Sequence, residues 1–414
     1  MTLAFVALRN LGRNRRRTLL SLLVAACGAA ALVLTAGFVR FSFEGLRDAI
    51  VRGGLGHLEV GPADDFEGAA SPLERLARPP LLAGWEALRK EIEARPHVQA
   101  AGASIQFAGM ASHRDRSAAF FAVAVEPDRE RRMGMEVKLR GGEGLSEEPP
   151  AEGEDQVLLG KGLARALGVV PGDRIALVTS TVEGSLDAMD VTVRGLLTSG
   201  LQELDARLLK THVVTAQRLL GTANVSSLVV GLDDTDRTAA AQADLLPLLG
   251  SSTTPLAAVD WETRAPFYRQ VRSLYAGIFA FLGGVVFFLV VLSTSNTLLM
   301  SVLERVREFG TLRAIGTSRG QVATLVVLEA LWLGLLGGLS GAVLGLGLAT
   351  LINHLGIRMP PPPGAADPLD LFLRVVPSDL AAALLFMVVV LGVASLVPAL
   401  RVIRLRIAEA LAHD

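Results

Sequence analysis

Four uncharged apolar stretches, 19–39, 273–303, 321–355 and 380–400, frame one long polar segment between the first two, and only Glu329 and His354 interrupt the third. A helix rises about 1.5 Å per residue and the hydrocarbon core of a bilayer is about 30 Å thick, so each stretch is long enough to span and nothing else in the chain is. The expected fold class is an integral membrane α-helical protein with four transmembrane helices. Composition agrees: mean hydropathy is +0.45, while charged residues still reach 20% because they concentrate in the polar segment and at the helix ends.

Orientation follows from the short flanks. Arg9, Arg13, Arg15, Arg16 and Arg17 precede the first stretch, Arg305, Arg307, Arg313 and Arg319 lie between the second and third, and Arg401, Arg404 and Arg406 follow the fourth. Cationic short flanks stay cytoplasmic, which puts both termini in the cytosol and the segment of about 230 residues from 40 to 272 outside, a full domain in length. The expected division is a basic amphipathic segment (1–18), a first span (19–41), an extracytoplasmic domain of two lobes inserted between helices 1 and 2 (42–270), a second span with a stalk (271–302), a cytoplasmic element (303–320), a third span (321–355), a short outer loop (356–378), a fourth span (379–400) and a cytoplasmic tail (401–414).

Val24-Ala25-Ala26-Cys27 has the spelling of a lipoprotein processing site. The apolar run continues for another dozen residues, however, whereas a signal peptide's apolar region ends near its cleavage site after about 7–15. A retained span is the expectation, with Cys27 as one small residue among several; a single Cys also excludes an intrachain disulfide.

The outer domain reads as mixed α+β. Residues 85–95 have helical spacing and 118–125 are compact enough for a strand. Residues 156–178 read strand, short helix, glycine turn, strand, and 191–197, 212–215 and 227–232 add strand-like runs. The Gly, Pro and acid-rich segment 143–155 is expected to be a solvent loop joining two lobes. Gly160-Lys161-Gly162 fails as a phosphate loop, because Gly162 stands where Ser or Thr must reach Mg²⁺ and Asp155 stands where the first Gly belongs. The six histidines show no metal-ligand spacing, and Gly338–Ala342 misses the nucleophile-elbow pattern at Ala342, so no catalytic or metal residue is expected.

The second apolar run is 31 residues, about 46 Å as a helix, so part of it should leave the membrane. If it emerges outside, Tyr268, Leu274, Tyr275 and Phe279 face Phe38, Phe41 and Phe43 across an apolar pocket suited to an acyl chain; ordinary helix packing and an aromatic belt are the competing reading. In the third span Gly337, Gly341 and Gly345 recur every four residues, spacing that lets helix backbones approach closely. Glu329 lies about two turns inside that span, where a carboxylate is expensive unless paired; it either snorkels to an interfacial Arg or forms a polar switch.

Residues 304–319 interleave charges with apolar side chains at helical spacing, and Gly310 and Gly316 can break or turn the element. A solvated connector has no need of Val306, Phe309, Leu312 and Ile315, so the element reads as a docking surface for a cytoplasmic protein, with a position in the lipid interface as the rival.

Glu304-Arg305-Val306-Arg307-Glu308-Phe309-Gly310-Thr311-Leu312-Arg313-Ala314-Ile315-Gly316 resembles the signature that follows the second span of FtsX-like permeases, the group holding the MacB and LolC/LolE transporters. The resemblance extends to the basic entry at 7–19, to the outer segment 159–173 and to the neighbourhood of Glu329. Residues 198–205 and 216–221 are similar to the lipoprotein-releasing members; the run Pro360–Pro363 does not decide the subfamily.

The resemblance implies a non-catalytic permease subunit of a mechanotransmission ABC transporter in a bacterial inner membrane. Its implied partners are a cytoplasmic ABC ATPase dimer that binds ATP and Mg, a second permease subunit as homodimer or heterodimer, membrane lipid, lipoproteins and a periplasmic acceptor. No cofactor is expected in this chain and no nucleic acid. MacB proteins carry their ATPase before the first span, where this chain has no room for one. The coupling residues carried over are Glu304, Arg305, Arg307, Glu308, Phe309, Gly310, Leu312, Arg313 and Gly316. Lipoprotein extraction is the leading function; the alternatives are an FtsX-like regulator of an envelope hydrolase and an exporter of drugs, peptides or glycolipids.

Overall fold

The computed structural model describes residues 3–13, 15–66, 81–135, 138–199, 202–250, 255–359 and 369–404. Pro360–Pro363, Gly200, Leu201, Arg406 and the rest of the tail beyond 404 lie outside the described residues. The chain divides into two units, one built from Met1–Glu44, Val271–Met359 and Asp370–Asp414, the other from Gly45–Gln270 and Pro360–Leu369.

The first unit is helical: α1 (Leu3–Leu11), α2 (Arg15–Ile50), α3 (Pro266–Glu304), α4 (Val306–Ala314), α5 (Arg319–Leu355), α6 (Pro377–Ala394) and α7 (Leu396–Arg404). α2, α3, α5 and the α6–α7 pair are each long and apolar enough to cross a membrane. α2 and α3 run on past the apolar stretches, to total lengths of 36 and 39 residues. The fourth span, expected to be continuous, breaks at Ser395, because Pro398 has no N–H to donate to Ala394 and its ring crowds that carbonyl. The start of α5 is fixed by a capping box in which Ser318 Oγ accepts from Gln321 N and the Gln321 side chain accepts from Ser318 N.

α5 is the centre of this unit, and its glycines face two different helices. A Cβ on Gly337 would lie 2.5 Å from Ala25 Cβ, one on Gly341 2.4 Å from Ala29 Cβ, and one on Gly345 2.9 Å from Val33 Cβ. On the neighbouring ridge Gly334 meets Val388 and Met387 of α6, and Gly338 meets Leu384. The four-residue glycine repeat therefore seats α2 backbone to backbone, and the adjoining ridge seats α6. α3 presents Phe281, Phe288, Leu289 and Leu292 outward, each more than 60% exposed in the isolated chain.

The second unit is a mixed sheet with helices over it. Its strands are β1 (Leu58–Pro62), β2 (Val98–His113), β3 (Arg116–Val125), β4 (Lys138–Gly142), β5 (Gln156–Gly160), β6 (Arg174–Ser180), β7 (Leu186–Thr198), β8 (Leu208–His212), β9 (Ser227–Leu232) and β10 (Leu256–Asp260). Pairing runs β10-β1-β9-β2-β3-β8-β5-β7-β4, and β6 bridges β7 back to β2. β2, β3, β8, β5, β7 and β6 thereby close a six-stranded circuit, while β10, β1 and β9 extend as an open sheet from the other half of the long β2. Phe107, Phe120, Leu159, Leu177, Val191 and Leu209 belong to the buried core.

Residues 212–215, expected as strand, divide instead: His212 ends β8 and Val213 opens a helix through Leu220 whose Ala216, Leu219 and Leu220 are buried at helical spacing. A four-residue apolar run cannot distinguish the two periods. The segment 143–155 is no free solvent loop. Arg218 donates to Pro150 O, Ala151 O and the buried Asp155 carboxylate, Arg194 pairs with Glu143, and Ser146 Oγ meets His212 Nε2 at 3.3 Å.

Gly160 and Gly162 owe their identity to packing: a Cβ on Gly160 would lie 2.3 Å from Asp205 O, and one on Gly162 2.7 Å from Ala206 Cα. Asp205 is in turn held by Thr198 Oγ1, Ser199 N and Ser199 Oγ at 2.6–2.7 Å.

Candidate functional site

The chemistry-bearing cluster lies in the helical unit, where α3 gives way to α4. Arg305 occupies the break, at φ −105° and ψ 13°, so its side chain leaves the line of both helices. Its Nη1 donates to Glu329 Oε1 at 3.0 Å and to Oε2 at 3.1 Å, and its Nε donates to Glu308 Oε2 at 3.1 Å. The guanidinium carbon stands 5.1 Å from the centre of the Phe309 ring, a cation–π contact. Glu329, only 7% exposed, also accepts from Asn10 Nδ2 at 2.7 Å, and Arg13 pairs with Glu308. Burying a carboxylate without partners is costly; here each oxygen has one.

Local sequence explains the convergence. α1 is nine residues, too short to stand alone in water, and it lies on α5 through buried Ala7, the hydrogen bond from Trp332 Nε1 to Ala4 O at 3.0 Å, and Asn10. Asn10 follows Ala7 by three residues and so shares its face. The cluster borders a cavity of about 230 Å³ whose lining includes the hydroxyl residues Thr18, Ser21, Thr297 and Ser301 together with Glu304.

Residues 304–316 are distributed between interior and surface. Val306 and Phe309, read as buried against another protein, are buried instead in this chain, in a cluster with Ala7, Val302, Val322, Leu325, Val326 and Val402, with Leu312 packed at its edge. The same apolar spacing serves either purpose, and α1, α5 and α7 already supply the surface. Gly310 is buried inside α4 and does not break it; the turn falls at Gly316, with φ +103°. Arg313 is half-buried. Arg307, Thr311 and Ile315 are exposed at i, i+4 and i+8, one stripe along the outer side of α4, with Ile315 75% exposed.

Of the aromatic residues expected to line an acyl pocket, Phe43 and Tyr275 stack edge to face at 5.9 Å, and Tyr275 lies 6.0 Å from Phe279. Leu274 is 61% exposed, and Phe38 and Phe41 are half-buried. Tyr268, at the start of α3, falls in the second unit, where it is buried against Trp261 at 4.7 Å. At the far end of the helical unit Arg40 Nη2 pairs with Asp379 Oδ1 at 2.9 Å and Arg374 with Glu44 at 2.9 Å. Asn10 and Arg13 as members of the cluster, and the hydroxyl lining, were not anticipated. The available signal was a lone amide on the buried face of the N-terminal helix.

In the second unit burial lowers the pKa of two histidines. His212, 2% exposed, is pushed down to about 4, chiefly by loss of hydration. His57 is lowered for the same reason, and its Nδ1 accepts from Leu232 N at 3.0 Å.

Two families match the chain: the MacB-like periplasmic core domain over residues 18–248 and the FtsX-like permease C-terminal region over residues 280–407. Among characterised relatives, the macrolide export ATP-binding/permease protein MacB of Hyphomonas neptunium is 34% identical over 152 residues, covering 34% of this chain and 22% of that protein. The lipoprotein-releasing system transmembrane protein LolC of Neisseria meningitidis is 26% identical over 283 residues, covering 63% of this chain and 66% of that protein. These matches thus span between about a fifth and two thirds of the relatives' own lengths. The solved periplasmic region of MacB from Actinobacillus actinomycetemcomitans aligns at 15% identity and a TM-score of 0.36, over 53% of this chain and 95% of that one.

Proposed function

Since the chain belongs to the family of permeases that combine a MacB-like periplasmic core domain with an FtsX-like C-terminal region, we propose that it is the membrane subunit of an ABC transporter that works with a separate cytoplasmic ATPase. The ATPase carries ATP and Mg; this chain carries the motion. The single observation that supports this most directly is the two-sided build of α4, rooted by Val306 and Phe309 and presenting Arg307, Thr311 and Ile315 outward. In this reading closure of the ATPase dimer displaces α4, and the long α2 and α3 carry the displacement to the domain inserted between them. Two copies, or this chain and a related subunit, complete the permease, with both termini cytoplasmic.

For cargo we favour a lipoprotein taken from the outer leaflet of the inner membrane. Similarity to LolC and the apolar patch of Phe43, Tyr275 and Phe279 support that choice. An acyl chain is worth about 0.8 kcal/mol per CH₂ removed from water, but it leaves lipid that is already apolar, so little of this drives extraction and ATP must supply the work.

Ile315→Asp and Arg307→Glu test the coupling surface, since both side chains are exposed and their loss leaves the interior untouched. Each should abolish co-purification with a co-expressed partner ATPase, or uncouple its hydrolysis, with no change in thermal unfolding. Full binding and full coupling in both variants would refute the assignment.

A further inference from the structure

We propose that α1 and its link to α2 form one mechanical unit with α4, latched by a ring of polar contacts that runs from Asn10 to Glu329 to Arg305 to Glu308 and back to Arg13. The proposal rests on the reading of α4 as the ATPase-facing element and adds to it a second cytoplasmic lever.

The ring is closed in sequence as well as in space. It leaves the N-terminal segment at Asn10 and returns to it three residues later at Arg13, having passed through α5, the α3–α4 break and α4. Arg305 sits at the break between α3 and α4 and Arg13 in the turn between α1 and α2, so a rotation of α4 about Arg305 must either carry Glu308 and Arg13 along or part them. α1 is seated on α5 by buried Ala7 and by the hydrogen bonds from Asn10 to Glu329 and from Trp332 to Ala4, so the ring joins α4 to a packed pair and not to a loose segment.

A buried ion pair in dry surroundings would be too expensive to open during a working cycle. This one opens onto a cavity of about 230 Å³ lined by Thr18, Ser21, Thr297 and Ser301. A water occupies about 30 Å³ in the liquid, so several can enter and solvate the parted charges. The ring therefore has a paired state and a wetted state separated by a modest difference, which a latch requires.

The test uses the full chain in nanodiscs with its ATPase, spin-labelled at the exposed positions Arg9→Cys and Thr311→Cys on a Cys27→Ser background. With the ring intact, the Arg9–Thr311 label distance should keep one narrow distribution in both the nucleotide-free and the vanadate-trapped complex, because α1 and α4 travel together. Asn10→Ala, which removes one hydrogen bond and no charge, and Glu329→Gln should split that distribution on trapping and reduce permease-dependent ATP hydrolysis several-fold; Arg305→Lys should restore part of both relative to Arg305→Gln. A label distance that changes on trapping while the ring is intact overturns the latch. So do variants that melt earlier yet keep the parental distances and hydrolysis, since a merely structural role predicts that result. Failure of the parent chain to assemble with the ATPase overturns the reading of α4 instead, and is scored separately by co-purification.

Discussion

The glycine ridge of α5 gives the most quantitative test, because its three positions differ in clearance and two others serve as controls. Gly341→Ala would put a methyl 2.4 Å from Ala29 Cβ and about as close to Ala26 O, and Gly337→Ala would put one 2.5 Å from Ala25 Cβ. Real contacts of this kind settle near 3.4 Å or beyond, so α2 and α5 must part by about 1 Å along a seam whose residues, Ala25, Ala29 and Val33, are fully buried. Overpacking of a close-fitted core costs about 1–3 kcal/mol. The substitution itself recovers up to about 1 kcal/mol of helix propensity, leaving a net loss of about 1–2 kcal/mol at 337 and 341. Gly345→Ala, with 2.9 Å to Val33 Cβ on a side chain that can turn, should lose less. Gly347→Ala and Gly284→Ala meet nothing within 4 Å and should be neutral or stabilising. The assay is reversible denaturation of the purified chain in mixed micelles across the five variants. If Gly341→Ala proves as stable as Gly347→Ala, the backbone-to-backbone seating of α2 on α5 is wrong.

Three further outcomes are expected. Glu329→Ala should destabilise the chain by about 3 kcal/mol in the same denaturation assay, because Arg305 keeps a buried charge with one of its two partners gone; Arg305→Met with Glu329→Leu should recover most of that loss. His212 takes its proton near 4 in the fold but near 6.5 when unfolded, so the unfolded chain binds more protons between those values. Its contribution is complete above about pH 6.5 and is lost as pH falls toward 4, up to about 3 kcal/mol, and His212→Gln should flatten that part of a chemical-denaturation pH series. Gly160→Ala should cost about 1–3 kcal/mol by forcing β5 away from the backbone at Asp205, read as a lowered melting temperature of the β-rich unit by circular dichroism; an unchanged melt would return Gly160 to the list of residues without a packing reason.

Much of the helical unit was legible because lipid imposes a length and a composition that few other structures share. The glycine spacing of α5 announced a close helix contact, but two ridges of glycine meet two different helices, and which one takes which depends on the path of the whole chain. The break before Pro398 was readable from proline chemistry and was missed because the hydropathy is unbroken there. In the β-rich unit alternation located most strands, whereas 212–215 carried too few residues to set a period and 143–155 looked unstructured because its anchors, Arg194 and Arg218, lie far along the sequence.

The candidate site divides the same way. Glu329 identified itself by its cost, as an ionisable residue inside an apolar run. That Arg305 should hold it, with Asn10 on the other side, could not be read from spacing, since these residues are 24 and 319 positions away from it. Val306 and Phe309 show the limit most clearly: their periodicity required burial and was silent on whether the covering surface belonged to this chain or another. The amino-acid sequence alone determined which segments can cross a bilayer and where a buried charge needs a partner, because both follow from solvation of the residues themselves. Only the tertiary structure decided who those partners are, because pairing depends on which distant faces the fold brings within 3 Å.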